Sequence, residues 1–152
     1  MPRSLIRRIW LARLAAYGST GELESFDVGA NGCVRVTGVQ DLRNILLPRP
    51  FGKLYPRGLE VVEGQTWTLD RGEHVRGEVR TEARGARGYG LGTLVMTPAH
   101  DGGRLKCTGT FECKVPFVGG HLENYFGRQM VDETPELLRF TMKWIEEHER
   151  PR

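Results

Sequence analysis

The hydrophobic period of this chain changes twice. Apolar side chains recur at helical spacing from 4 to 17, alternate with a period of two from 22 to 115, and return to helical spacing from 121 to 148. A helix, a block of strands and a longer helix, in that order, predict an α+β chain. In the last segment Leu122, Phe126, Met130, Leu137, Phe140 or Thr141, Trp144 and His148 form one stripe, along a rod of about 42 Å at 1.5 Å per residue. Pro135 interrupts it, and Thr134-Pro135-Glu136 also suits a helix start, with Thr134 as cap. Because the stripe resumes nearly in phase, the expectation is one kinked helix.

In the first segment Ile6, Trp10, Leu14 and Tyr17 share a face, with Arg7, Arg8 and Arg13 off it and Gly18 as the stop. The strands follow. Glu22–Ala30 and Cys33–Val39 flank Asn31-Gly32, a two-residue hairpin signal of the type I′ kind. Leu59–Leu69 precedes a turn at Arg71-Gly72. Val75, Gly77, Val79 and Thr81 alternate with charged residues, so one face of that strand is wet. Leu91–Thr97 and the turn Asp101-Gly102-Gly103 lead to the clearest alternation, in which Leu105, Cys107, Gly109, Phe111, Cys113 and Val115 point one way. Six strands joined mostly by short turns predict an antiparallel meander over 22–115. Residues 48–58 break the pattern. Three prolines exclude a central strand, and Phe51, Leu54 and Tyr55 predict a segment packed on something.

Length and charge narrow the class. The 152 residues make one domain by size. No apolar run approaches the ~20 residues of a membrane span. The net charge of +3 and a pI of about 8.9 fall short of a nucleic-acid binder, so neither nucleic acid nor stable membrane insertion is expected. Arg7-Arg8-Ile9-Trp10-Leu11 faintly resembles a twin-arginine signal, but Arg13 cuts the apolar stretch short of a signal core of about 7–15 residues. Cys33, Cys107 and Cys113 are an odd number and cannot all pair. Reduced thiols and a cytoplasmic location are the expectation.

Catalytic motifs are sparse. His74, His100, His121 and His148 have no metal-ligand spacing, and Gly88-Tyr89-Gly90-Leu91-Gly92 is not a dinucleotide loop. No cofactor is expected. Glu63, Gln65 and Trp67 share one strand face with Leu59, Val61 and Leu69, which suits a pocket with a few orienting polar groups; the alternative puts the core on Val62, Gly64 and Thr66. His121, Glu123 and Asn124 open the last helix. Asp41 and Arg43 suit a structural ion pair.

The antiparallel meander, proline-marked lid and long C-terminal helix resemble the helix-grip fold of the START-like (SRPBCC, Bet v 1-like) superfamily. Trp10–Gly18, Gln40–Arg43 with Leu47-Pro48, Gln65–Trp67, Val75–Glu78 and Val115–Gly120 are similar to an actinobacterial START-like family of unknown function, from about 10 to 148. The resemblance implies a curved sheet wrapped around the long helix over an apolar cavity. It implies binding of a lipid, polyketide or isoprenoid, with Trp67, Leu105, Phe111, Leu122, Phe126 and Met130 as lining and Glu63 and Gln65 as polar contacts. A cyclase or hydrolase using Glu63 or His121 is the rival reading, and an interaction protein a third. The family pattern also includes a strand and short helix before Trp10 that this sequence does not show. Unpaired edges at Glu22–Ala30 and Leu105–Val115 are then expected, with homodimer formation through an open edge. If residues 48–58 act as a lid, their amide exchange slows when ligand binds, because opening then costs more. Equal exchange with and without saturating ligand would leave them a mere connection.

Overall fold

The computed structural model describes residues 3–16, 21–42, 53, 58–69, 74–85, 87–100, 102–116 and 119–149. Helix α1 spans Arg3–Ala16. Six strands follow: β1 Gly21–Val28, β2 Val34–Asp41, β3 Glu60–Leu69, β4 Val75–Arg84, β5 Gly88–Ala99 and β6 Gly102–Cys113. Each pairs antiparallel with its sequence neighbour, giving the sheet order β1-β2-β3-β4-β5-β6. A helical rod closes the chain as α2 Gly119–Arg128, a π turn Gln129–Glu133 and α3 Thr134–Glu149. The α+β class, the six antiparallel strands and the long C-terminal helix are as the periodicity predicts, and the curved sheet with its helical rod is consistent with the helix-grip arrangement that the resemblance implies.

Strand alternation places one face of the sheet under the helices. In β4, Gly77, Thr81 and Ala83 are buried while Arg76, Glu78, Arg80 and Glu82 are exposed. Glycines on this face stand beside large side chains. Gly77 is the cross-strand partner of Trp67 and Gly90 that of Phe111. A Cβ on Gly77 would sit 2.8 Å from the Trp67 ring, and one on Gly90 would sit 2.8 Å from Phe111. The bare backbone lets each ring lie across the neighbouring strand.

The packed core gathers at one end of the sheet. Leu42, Leu59, Val61, Ala83, Cys113 and Leu122 form it, with Phe111, Val115, Tyr125 and Phe126 against them. Leu42 N–H donates to Leu59 O at 2.9 Å, and Leu59 N–H donates to Asp41 Oδ1 at 3.3 Å. Gly58 takes φ +93°, and a Cβ there would lie 3.2 Å from Asp41 Oδ2. These contacts pin the two ends of the proline-rich segment between β2 and β3. Its expected apolar contacts, Phe51, Leu54 and Tyr55, lie outside the described residues, as do Arg43, Tyr17, Gly18, the Arg71-Gly72 turn and Asp101.

Two local expectations are corrected. The first hairpin is not a two-residue type I′ turn on Asn31-Gly32. Gly32 N–H closes a turn on Gly29 O at 3.0 Å, so Ala30 and Asn31 are central and Gly32, at φ 78°, follows as a third loop residue. A three-residue loop places glycine in the left-handed position, and Asn31 Oδ1 accepts from Cys33 N–H at 3.1 Å. The last helix carries a π turn ahead of Pro135, rather than a simple proline kink. Proline removes an N–H and crowds the carbonyl four residues back, and a wider turn accommodates both. On the stripe Thr141, half-buried, takes the inward place, while Phe140 and His148 are exposed.

Among the described residues β1 and β6 are the sheet edges, and no helix is long and apolar enough to cross a membrane. The join between sheet and helix is tight. Gly119 N–H donates to Val115 O at 2.9 Å, and a Cβ on Gly119 would come within 2.3 Å of Cys113 O. Gly120 has nothing within 4 Å of its Cβ position. Gly119→Ala is expected to cost about 1–3 kcal/mol or more through backbone displacement. Gly120→Ala, with better helix propensity and open space, is expected to be neutral or to gain up to about 1 kcal/mol. Urea unfolding midpoints of the two variants check the contrast; equal midpoints would refute it.

Candidate functional site

Beyond the packed end, sheet and helices separate around a cavity of about 760 Å³, within the roughly 300–1,000 Å³ usual for small-molecule sites. Its walls are mostly apolar. Ile6 and Trp10 come from α1, Trp67 from β3, Val79 from β4 and Leu105 and Phe111 from β6. The helical rod contributes Phe126, Met130, Leu137 and Thr141. A smaller chamber of about 110 Å³ adjoins it beside β2, and the two share Trp10, Arg13, Glu63, Gln65, Phe126 and Leu137.

Seven of the eight residues singled out as ligand contacts meet on this wall: Glu63, Gln65, Trp67, Leu105, Phe111, Phe126 and Met130. Leu122 does not. It is 0% exposed and packs into the core cluster with Leu42 and Leu59. The reason is position along the rod. Leu122 shares a stripe with Phe126 and Met130, but it lies where Gly119 holds the helix against β6. Met130 lies where the helix stands off, over Gly109, with its Cε 2.6 Å from that glycine's Cβ position. Phe111 and Phe126 meet between these points, ring centroids 4.2 Å apart and tilted by 37°.

The polar groups on the wall are ordered. Trp67 Nε1–H donates to Gln65 Oε1 at 2.9 Å, and Gln65 Nε2–H donates to Glu63 Oε1. Three side chains of one strand face thus form a single hydrogen-bonded seam on the cavity wall. Glu123 is also on the wall, where its Oε1 accepts from Cys113 N–H at 3.1 Å and fastens α2 to the end of β6. His121 and Asn124 are exposed, and His121 lies off the cavity wall, so an acid–base role for His121 in the cavity has no geometric basis.

Arg13 corrects the reading of α1. The sequence sets it off the apolar stripe, yet it is half-buried and lines both chambers. Its guanidinium carbon is 4.3 Å from the centroid of the Trp10 ring. Residues three apart share a helix face, and an arginine stem can lie along apolar surface; that spacing was the available signal. Thr81, 7% exposed and also on the wall, carried no signal beyond its place in the β4 alternation. Among the described residues no three His, Cys, Asp or Glu side chains gather as a metal site.

All three cysteines are free thiols. Burial pushes the Cys107 thiol up from its ordinary 9.0. Cys113 is also pushed up, by burial first and then by the negative charge of Glu123, against an opposing backbone hydrogen bond at Val115. Such thiols are weak nucleophiles at neutral pH. A raised native value means that the folded chain holds these protons more tightly than the unfolded one. The associated stability is complete below the ordinary thiol value and is lost as pH rises above it. Urea midpoints measured across pH 7–11 are therefore expected to fall above about pH 9. The fall should be shallower in the double variant Cys107→Ala, Cys113→Ala, and an unchanged slope would assign it to other groups.

No solved structure matches the chain. It is 29% identical over 143 residues to uncharacterised proteins of Mycobacterium bovis (Mb0491c) and Mycobacterium tuberculosis strain H37Rv (Rv0481c), an alignment covering 90% of this chain and 82% of each relative. Both are actinobacterial, as the sequence motifs led us to expect. Residues 6–145 match the family described as "Protein of unknown function (DUF2505)", and the chain belongs to that family.

Proposed function

We propose that this chain is a START-like domain that binds an apolar or amphipathic small molecule, such as a lipid, polyketide or isoprenoid, between its sheet and its helical rod. The cavity of about 760 Å³ carries the reading. A space of that size walled by Trp, Phe, Leu and Val offers a ligand about 0.8 kcal/mol for each buried methylene. Several methylenes together offset the loss of translational and rotational freedom on binding. The seam on β3 supplies the few polar contacts that orient a ligand in such a site.

An enzyme of the cyclase or hydrolase type is the second reading, favoured by one observation: Glu63 stands on the cavity wall, where a carboxylate can exchange protons with a bound molecule. Native mass spectrometry of protein from its own host separates the two. A retained ligand that stays intact supports the carrier, and conversion of that ligand supports the enzyme.

Trp67 provides the direct test of the cavity. In a variant with Trp10→Phe and Trp144→Phe it is the sole tryptophan, and an apolar fluorescent probe that enters the cavity is expected to quench it or accept energy from it. Adding Trp67→Ala should weaken probe binding by about tenfold while circular dichroism still reports a folded chain, since an aromatic ring supplies a large part of such a contact. Unchanged affinity in the folded variant would count against the site.

A further inference from the structure

Resting on the binding reading above, we infer that the polar end of the ligand is a hydrogen-bond donor, a hydroxyl or an ammonium group, received by Glu63. The argument follows the direction of the seam. An indole N–H can only donate. Since Trp67 Nε1–H is 2.9 Å from Gln65 Oε1, that amide oxygen is the acceptor and the orientation of the amide is decided. Gln65 Nε2 is then the donor, and it is directed at Glu63 Oε1. Each bond points the same way, and the series ends on a group that accepts. A carboxylate has about four lone-pair positions, and the seam occupies one of them.

Glu63 also stands where the two chambers meet. The other acidic group on the wall, Glu123, fastens α2 to the end of β6 through Cys113 N–H and lines the larger chamber but not the smaller one. The cation there, Arg13, lies against the Trp10 ring and has a further partner, while its buried Nε–H meets no acceptor among the described residues, which makes a carboxylate probe the critical control. A ligand ending in a carboxylate, an ether or a ketone would set oxygen against oxygen at Glu63 and leave a desolvated acceptor uncompensated. A hydroxyl or ammonium gives that acceptor its donor while the apolar chain fills the space along Val79, Leu105 and Phe111.

Four probes of equal chain length test this: dodecanol, dodecylamine, dodecanoate and dodecyl methyl ether, measured by displacement of a fluorescent probe from the full chain. The alcohol or the amine is expected to bind at least about tenfold tighter than the ether and the carboxylate, the scale set by one hydrogen bond to a charged group. Alcohol above amine identifies a hydroxyl ligand, and the reverse order identifies an amine. Glu63→Gln keeps the shape, still accepts from Gln65 and turns a donor toward the cavity, so it should abolish the donor preference and improve dodecanoate. Trp67→Phe removes the N–H that orients Gln65 together with part of the ring. It should weaken all four probes and also narrow the preference among them, and the narrowing is the part that a loss of contact area alone would not produce. Dodecanoate binding as tightly as dodecanol in the unaltered chain would overturn the inference and move the polar end to Arg13. An unchanged ranking in Glu63→Gln would also overturn it. Equal binding of all four probes removes this inference and leaves the cavity reading intact, whereas failure of all four to bind removes both.

Discussion

The helical rod is fastened to the sheet at one end, and the rest of the arrangement depends on that attachment. At the end of β6 three contacts coincide within a few residues. Gly119 lies so close to the Cys113 carbonyl that no side chain fits. Glu123 receives the Cys113 amide proton, and Leu122 is fully buried beside them. A rod held there rests on the core cluster for its first two turns and then stands away from the curved sheet. The cavity is the wedge between them.

Empty backbone positions shape the wedge further. Gly77 and Gly90 leave room for Trp67 and Phe111 to lie across neighbouring strands rather than project upward. Gly92 and Gly109 face each other across β5 and β6, so the floor under Met130 has no side chains of its own. A side chain at Gly77, Gly90 or Gly109 would collide with Trp67, Phe111 or Met130, its Cβ lying 2.8, 2.8 or 2.6 Å from them. The glycines are thus required by the large side chains that wall the space.

The sheet was legible in the sequence because alternation is a local property. In β4 and β6 the residues read as inward, Val75 to Thr81 and Leu105 to Cys113 at alternate positions, lie on the covered face, since a one-residue slip would turn charged side chains into the core; Ala83, buried at the end of β4, continues that series unread. The face of β3 was not decided that way: Glu63 and Gln65 are polar, so alternation alone left Val62, Gly64 and Thr66 as an open alternative. What periodicity does not encode is distance from a partner surface. Leu122, Phe126 and Met130 share one helical stripe, yet one lies in core and the others on a cavity wall. Arg13 was misplaced because residue type was weighed above spacing. The Asn31-Gly32 dipeptide marked the hairpin but not its loop length, which depends on where the ladder closes, at Gly29 and Cys33. The direction of the β3 seam was beyond sequence reasoning altogether, since it rests on which amide atom faces the indole.

The π turn at Gln129–Glu133 has a consequence for how this chain can vary over descent. A wider turn holds one more residue than an α turn, so this segment can take up or give back a residue while the helix on either side keeps its course. Losing a single residue from it would restore an ideal helix locally. An insertion or deletion within the regular helix on either side has no such outlet. It would rotate everything beyond it by about 100°, the angle per residue of an α-helix, and carry Leu137 and Thr141 off the cavity wall. Change of length along this rod over descent is therefore expected to concentrate at Gln129–Glu133, as it does in the surface turns between strands.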